Sequence, residues 1–167
     1  LNGNQITNIE LIIKNITQYL KDNHKPVLGI IHGDFHFGNI FFDETEKIFK
    51  LIDPRGSFGS HKGIIGDVYY ELAKLRHSYH GMYDAILDGL YTVKINDQGY
   101  NLKIGPQRLQ YIEAIDNLIS ELGYDLNIVK MIEFTILLSL ISIHSDSRNN
   151  QIAFFLQAML LSKDIII

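Results

Sequence analysis

Apolar residues recur at Ile6, Ile9, Ile13, Ile16 and Leu20 with polar residues between them, a helical spacing that predicts an amphipathic helix over 6–20. The helix should stop near 22–25, because Pro26 has no N–H to continue it. The uninterrupted apolar run 27–31 predicts a short buried strand, followed by a polar loop over 32–39. Two further short strands, 40–42 and 48–52, flank the polar turn 43–47 and read as a hairpin. The stretch 53–66 carries Gly56, Gly59, Gly63 and Gly66, has too little periodicity for a regular element and reads as a functional loop. Asp67 is a good N-cap for a helix running to about His80, with Val68, Leu72 and Leu75 on its inner face.

The second half continues with loose alternation over 91–104 around Asn96-Asp97-Gln98-Gly99, a second hairpin. After Gly105-Pro106 the pattern is helical: 107–122 closed by Gly123, then 126–143, apolar on several faces and so central, then 149–162. One helix, a small β unit carrying loops, then several helices make the expected fold α+β, mostly helical, in a single domain over 1–167.

Composition narrows the function without choosing it. The 167 residues are 46% hydrophobic and 20% charged, enough for one domain with a real core. A net charge of -4 gives no electrostatic footprint for nucleic acid. The absence of cysteine excludes a disulfide framework, a thiolate zinc site and a Cys nucleophile, and fits a reducing, cytoplasmic setting. The longest uncharged apolar stretch, 134–143, is too short to cross a bilayer, so no membrane partner is expected.

The chemistry is concentrated in Ile30-Ile31-His32-Gly33-Asp34-Phe35-His36-Phe37-Gly38-Asn39-Ile40. An Asp follows the predicted strand and an Asn comes five positions later. Kinase catalytic loops have this layout, with the Asp taking the proton of an attacking hydroxyl and the Asn carboxamide oxygen binding magnesium. Phosphoryl transfer needs a hydroxyl aimed in line and cations on the phosphate oxygens, so one turning loop can carry base and metal ligand together. Gly33 and Gly38 permit the turn. Asp53 ends the next strand, in Leu51-Ile52-Asp53-Pro54, and hairpin geometry returns it beside Asn39. Asn39 and Asp53 then offer two hard oxygen ligands, which suits Mg2+.

The His-Gly-Asp-x-x-x-x-Asn loop followed by Ile-Asp resembles the aminoglycoside phosphotransferase and choline kinase superfamily, relatives of protein kinases. A third segment agrees: Gly66-Asp67-Val68-Tyr69-Tyr70-Glu71-Leu72-Ala73 resembles the family's Gly-Asp-x-x-x-Asp-Leu-Ala, with Glu71 where Asp is usual. The resemblance runs from about Thr7 to the last helices, with sharp motifs only in 32–75. It implies the C-terminal lobe of a kinase-like fold that moves the γ-phosphoryl of ATP (or GTP) to a small-molecule hydroxyl with Mg2+. It implies Asp34 as base, His32, Asn39 and Asp53 at the nucleotide and its metal, and Asp67 as a brace that accepts backbone hydrogen bonds from the catalytic loop. The glycine-rich nucleotide lobe that precedes such a loop is not in the 31 residues before His32, so it is expected upstream or in another chain, and the lobe alone is expected not to turn over. A catalytically incompetent binding or assembly module is the alternative.

Other readings compete at single residues. His32-x-Asp34-x-His36, with His61, His77, His80 and His144 as possible partners, could suggest zinc, but the second ligand set is not identifiable. His77 and His80 read as a partly exposed pair. Arg55 could meet phosphate or pair with Glu44 or Asp43. Tyr69, Tyr70, Tyr79 and Tyr83 read as packing residues. Glu113, Asp116 and Glu133 are candidates for an acid-lined acceptor pocket on the late helices.

Overall fold

The computed structural model describes residues 1–3, 5–6, 8–58, 61–97, 99–106 and 109–166. Thr7, Gly59, Gln98 and Gln107, which the sequence pattern placed in a helix, a loop, a turn and a helix start, lie outside the described residues. The protein is an α+β fold, about 53% helical with small antiparallel sheets, as the order of patterns predicts.

The first helix, α1 (Ile9–Asn23), starts later than the apolar spacing suggests because Asn8 caps it, its Oδ1 accepting from the Leu11 N–H at 3.0 Å. Strand β1 (Leu28–Ile30) then leads into the 32–39 loop, and β2 (Ile40–Asp43) and β3 (Ile48–Leu51) form the expected hairpin with Ile40 opposite Leu51. The glycine-rich stretch is more ordered than its composition implies. It holds β4 (Ser57–Phe58), β5 (His61–Lys62) and β6 (Ile65–Asp67), and β6 pairs antiparallel with β1. Gly66 lets the Ile31 side chain lie close against this ladder, since a Cβ there would come 2.2 Å from the Ile31 Cδ1.

The run 27–31 is not the buried strand its apolarity suggests. Leu28 and Ile30 are 71% and 77% exposed, because they share one face of a two-stranded sheet that nothing in the described chain covers. The opposite face is closed by Gly29 and Gly66 against Val68 and Ile31. On the β2–β3 hairpin, Phe42 and Phe49 likewise stand together on an exposed face, ring centroids 5.0 Å apart.

Helix α2 (Val68–Tyr79), capped by Asp67, is followed by α3 (Tyr83–Leu87), an element the pattern did not announce. The hairpin β7 (Tyr91–Asn96) and β8 (Gly99–Ile104) precedes α4 (Leu109–Glu121), α5 (Leu126–Ile143) and α6 (Arg148–Leu161). Two apolar clusters meet at α5. Met131, Phe134, Leu137 and Leu140 pack with α1, α3 and α6, while Val129 and Ile136 pack with α2 and α4. Serving both clusters explains why α5 is apolar on several faces, as expected. By length and composition it is the one helix among the described residues that could cross a membrane, and here its apolar faces pack against other helices.

Candidate functional site

The 32–39 loop is fastened by a polar row on α2. Glu71 accepts the backbone N–H of His32 at 2.9 Å and of Gly33 at 2.7 Å. One turn on, the Lys74 Nζ lies 2.8 Å from Asp34 Oδ1. Another turn on, the Ser78 Oγ accepts the Phe37 N–H at 3.1 Å. Spacing of three and four puts Glu71, Lys74 and Ser78 on one helix face. Sequence reasoning placed the inner face at Val68, Leu72 and Leu75. The loop-facing row lies about 90° around the helix from that stripe, at ~100° per residue. Lys74 and Ser78 were therefore missed, and the available signal was polar residues at i, i+3 and i+7 beside a loop rich in backbone donors.

Glu71, not Asp67, braces the loop. Asp67 instead caps α2 through the Tyr69 N–H at 3.2 Å, accepts the Val27 N–H at 3.1 Å and meets His24 Nε2 at 2.6 Å. Position 67 sits opposite Leu28 in the β1–β6 ladder, so its carboxylate reaches the chain entering β1 rather than the loop leaving it.

Within the loop the expected residues come together. The Asn39 Nδ2 donates to the Asp34 carbonyl at 2.9 Å and approaches the Asp34 Oδ2 at 3.4 Å, which turns the carboxamide oxygen away from Asp34. The Ile52 N–H donates to the Asn39 carbonyl at 3.1 Å, and the His32 Nε2 meets the Ile52 carbonyl at 2.8 Å. Residue 52 is thus tied to both ends of the loop, and Asp53 follows it at the same end of the hairpin as Asn39. Asp53 has φ 56°, a left-handed conformation that Asp tolerates better than most residues and that costs energy. The Asp34 N–H donates to His32 Nδ1 at 3.3 Å, so both His32 ring nitrogens serve the loop. That makes His32 a positioning residue rather than a direct ligand for a nucleotide or zinc. No group of three His, Cys, Asp or Glu side chains among the described residues could hold a metal, and the His61 side chain lies outside them.

Asp34 is half-buried. Burial pushes its carboxyl up, but the hydrogen bond and charge of Lys74 outweigh this and hold it below the usual carboxylate range. His77, expected to be partly exposed, is a fully buried residue of α2, stacked on Tyr83 at 4.7 Å. Burial and then the Lys74 charge push its pKa down to about 3, so it is neutral.

A cavity of about 520 Å³ opens beside the loop, lined by Phe37, Ser78, Tyr79, Asp84, Asp88 and Tyr111 among others. His36 links it to Asp34, with Nε2 3.5 Å from Asp34 Oδ2 and Nδ1 3.9 Å from Asp84 Oδ1. The acids expected to line an acceptor pocket are elsewhere. Asp116 receives the buried Arg76 guanidinium in a bidentate pair at 2.9 Å, and Glu133 pairs with the same guanidinium. Glu113 is exposed and does not line the cavity. Asp43 is taken by Lys50 at 2.8 Å, while Arg55 donates to the Tyr70 hydroxyl at 3.2 Å and packs over Gly33.

No protein-family model, no curated protein and no solved structure matches this chain.

Proposed function

We propose that this chain is the C-terminal, catalytic lobe of a kinase-like phosphotransferase that moves the γ-phosphoryl of ATP (or GTP) to the hydroxyl of a small molecule. The observation that supports the reading is the tie between the Asp34 loop and the hairpin end: the Asn39 Nδ2 donates to the Asp34 carbonyl at 2.9 Å, and Ile52, the neighbour of Asp53, donates its N–H to the Asn39 carbonyl at 3.1 Å. In this reading Asp34 orients a hydroxyl, and Asn39 and Asp53 are two hard oxygen ligands beside it. The donor set fits Mg2+: a carboxamide oxygen and a carboxylate, with no full protein cage around them, suit an ion that takes its remaining ligands from water and phosphates. When bound, such an ion would neutralise charge on the phosphate oxygens.

The residues divide the work. Asp34 orients the acceptor hydroxyl and takes its proton. Asn39 and Asp53 would hold the metal. His32 and Glu71 keep the loop in register with the hairpin. The cavity at Phe37, Tyr79, Asp84 and Asp88 is the acceptor wall in this reading. The exposed apolar faces at Leu28 and Ile30 and at Phe42 and Phe49 support a further lobe that covers the two small sheets, since a two-stranded sheet is marginal alone.

The same exposed faces also favour a second reading, a catalytically incompetent module that uses them for assembly. One experiment separates the two. In the full-length protein, ATP or GTP at ten times its dissociation constant should stabilise against unfolding by about 1.4 kcal/mol, only with magnesium present. Asp53→Asn should abolish the shift. Absence of any shift in the wild type would refute the phosphotransferase reading and leave the module.

A further inference from the structure

Lys74 is an ammonium buried inside a helix row, and everything around it points it at Asp34. Its Nζ is 2.8 Å from Asp34 Oδ1, 3.4 Å from His77 Nε2 and 5.8 Å from the centre of the Tyr83 ring. The His77 Nδ1 lies against the Lys74 carbonyl oxygen, so the neutral ring carries its proton there and donates it to that oxygen. Nε2 is then a lone pair facing the ammonium. Lys74 donates to both His77 and Asp34 and rests on the Tyr83 face, so its rotamer is fixed from three sides.

A purely structural role does not account for this arrangement. Taking an ammonium out of water costs several kcal/mol, and an apolar side chain of the same volume packs such a site as well or better. The charge is also the one the loop lacks, since 32–39 contains neither Lys nor Arg. The Asp34 oxygens are differently engaged. Oδ1 has the short contact to Lys74, while among the described residues Oδ2 has the longer approaches of Asn39 at 3.4 Å and His36 at 3.5 Å.

We propose that Lys74 is the positioning residue for Asp34: delivered from α2 and seated on His77, it anchors Oδ1 and so presents Oδ2 to the acceptor hydroxyl. This rests on the phosphotransferase reading. In the step it serves, the acceptor O–H bond breaks and its proton goes to Oδ2. The freed oxygen bonds to the γ-phosphorus, and the bond from that phosphorus to the bridging oxygen breaks, its electron pair leaving with the nucleoside diphosphate. Lys74 takes no part in the proton transfer and acts on the reaction only through Asp34.

The test uses the full-length protein and magnesium-dependent hydrolysis of ATP, with water in place of the unidentified acceptor. Lys74→Met should lower kcat roughly 100-fold, the scale for a misplaced reacting group, with KM for ATP changed less than about twofold. Added to Asp34→Asn, it should cause no further loss, because it acts through Asp34. Lys74→Gln, which keeps a donor without the charge, is the second arm if the Met variant does not fold, and should fall between Met and wild type. A readout without turnover accompanies these. The Lys74 ammonium should give a slowly exchanging ¹⁵N–H signal in the wild type that is lost in Asp34→Asn. Wild-type turnover in folded Lys74→Met, with turnover lost in Asp34→Asn, would overturn the positioning role and leave the phosphotransferase reading standing. So would equal losses from Lys74→Met in both backgrounds. No hydrolysis by the wild type, or full hydrolysis by Asp34→Asn, would overturn both.

Discussion

Acidification should destabilise this protein through one histidine. His77 is fully buried, and its pKa is lowered to about 3, first by burial and then by the Lys74 ammonium. In the unfolded chain it titrates near ~6.5. Between these values the unfolded state binds a proton that the folded state refuses, so stability rises with pH there. The contribution is complete above about 6.5, falls as pH drops and is gone below about 3. From pH 7 to pH 5 the loss from His77 alone is about 2 kcal/mol, which for a chain of this size lowers Tm by about 4–8 °C. The perturbation is His77→Gln, whose amide can donate to the Lys74 carbonyl and accept from its ammonium but cannot titrate. Urea unfolding of both proteins at half-unit steps from pH 7.5 to 4.5 gives the slope of stability against pH. The wild type should lose about 2.7 kcal/mol more than the variant over that range. Groups common to both proteins cancel in the difference. Parallel curves would refute the claim that His77 is held neutral. Movement of the His77 ring proton resonances with a midpoint above pH 5 would do the same.

Three other perturbations test the framework around the site. Glu71→Ala removes the acceptor of two loop amides and should cost roughly 2 kcal/mol, with faster hydrogen exchange at His32 and Gly33; unchanged exchange there would show that the loop does not depend on this brace. Arg76→Met leaves Asp116 and Glu133 buried or half-buried without their cation and should destabilise by roughly 3–5 kcal/mol, partly recovered when Glu133→Gln is added. Phe134→Ala opens a cavity where α5 meets α6 and should cost about 3–5 kcal/mol by denaturant unfolding; a loss under about 1 kcal/mol would show that this contact is not part of the core.

Much was legible locally. The Asn39 and Asp53 placement follows from a hairpin, whose two apolar runs and polar turn are written in consecutive residues, and the ladder places Ile40 opposite Leu51 as that pattern requires. The Asp67 cap, the Gly123 helix stop at φ 84° and the centrality of α5 are also decisions of neighbouring residues. What holds the loop was not legible, because it depends on partners about forty positions apart. Glu71 could be seen as a departure from a motif, but its two amide partners are at 32 and 33. Lys74 looked like an ordinary polar residue, because helical periodicity reports which residues are apolar and not which polar ones another segment will cover.

The sequence by itself determined the element types, the loop that carries Asp34 and Asn39 and the strand end that carries Asp53, since each is set by spacing over ten or so residues. Tertiary structure decided which charges are neutralised and which are aimed. Asp116 and Glu133, acidic candidates on paper, are consumed by Arg76. Asp84 and Asp88, which carried no signal, line the cavity. It also left the apolar run 27–31 largely exposed, because burial is a property of what packs on a face and no local pattern contains that information.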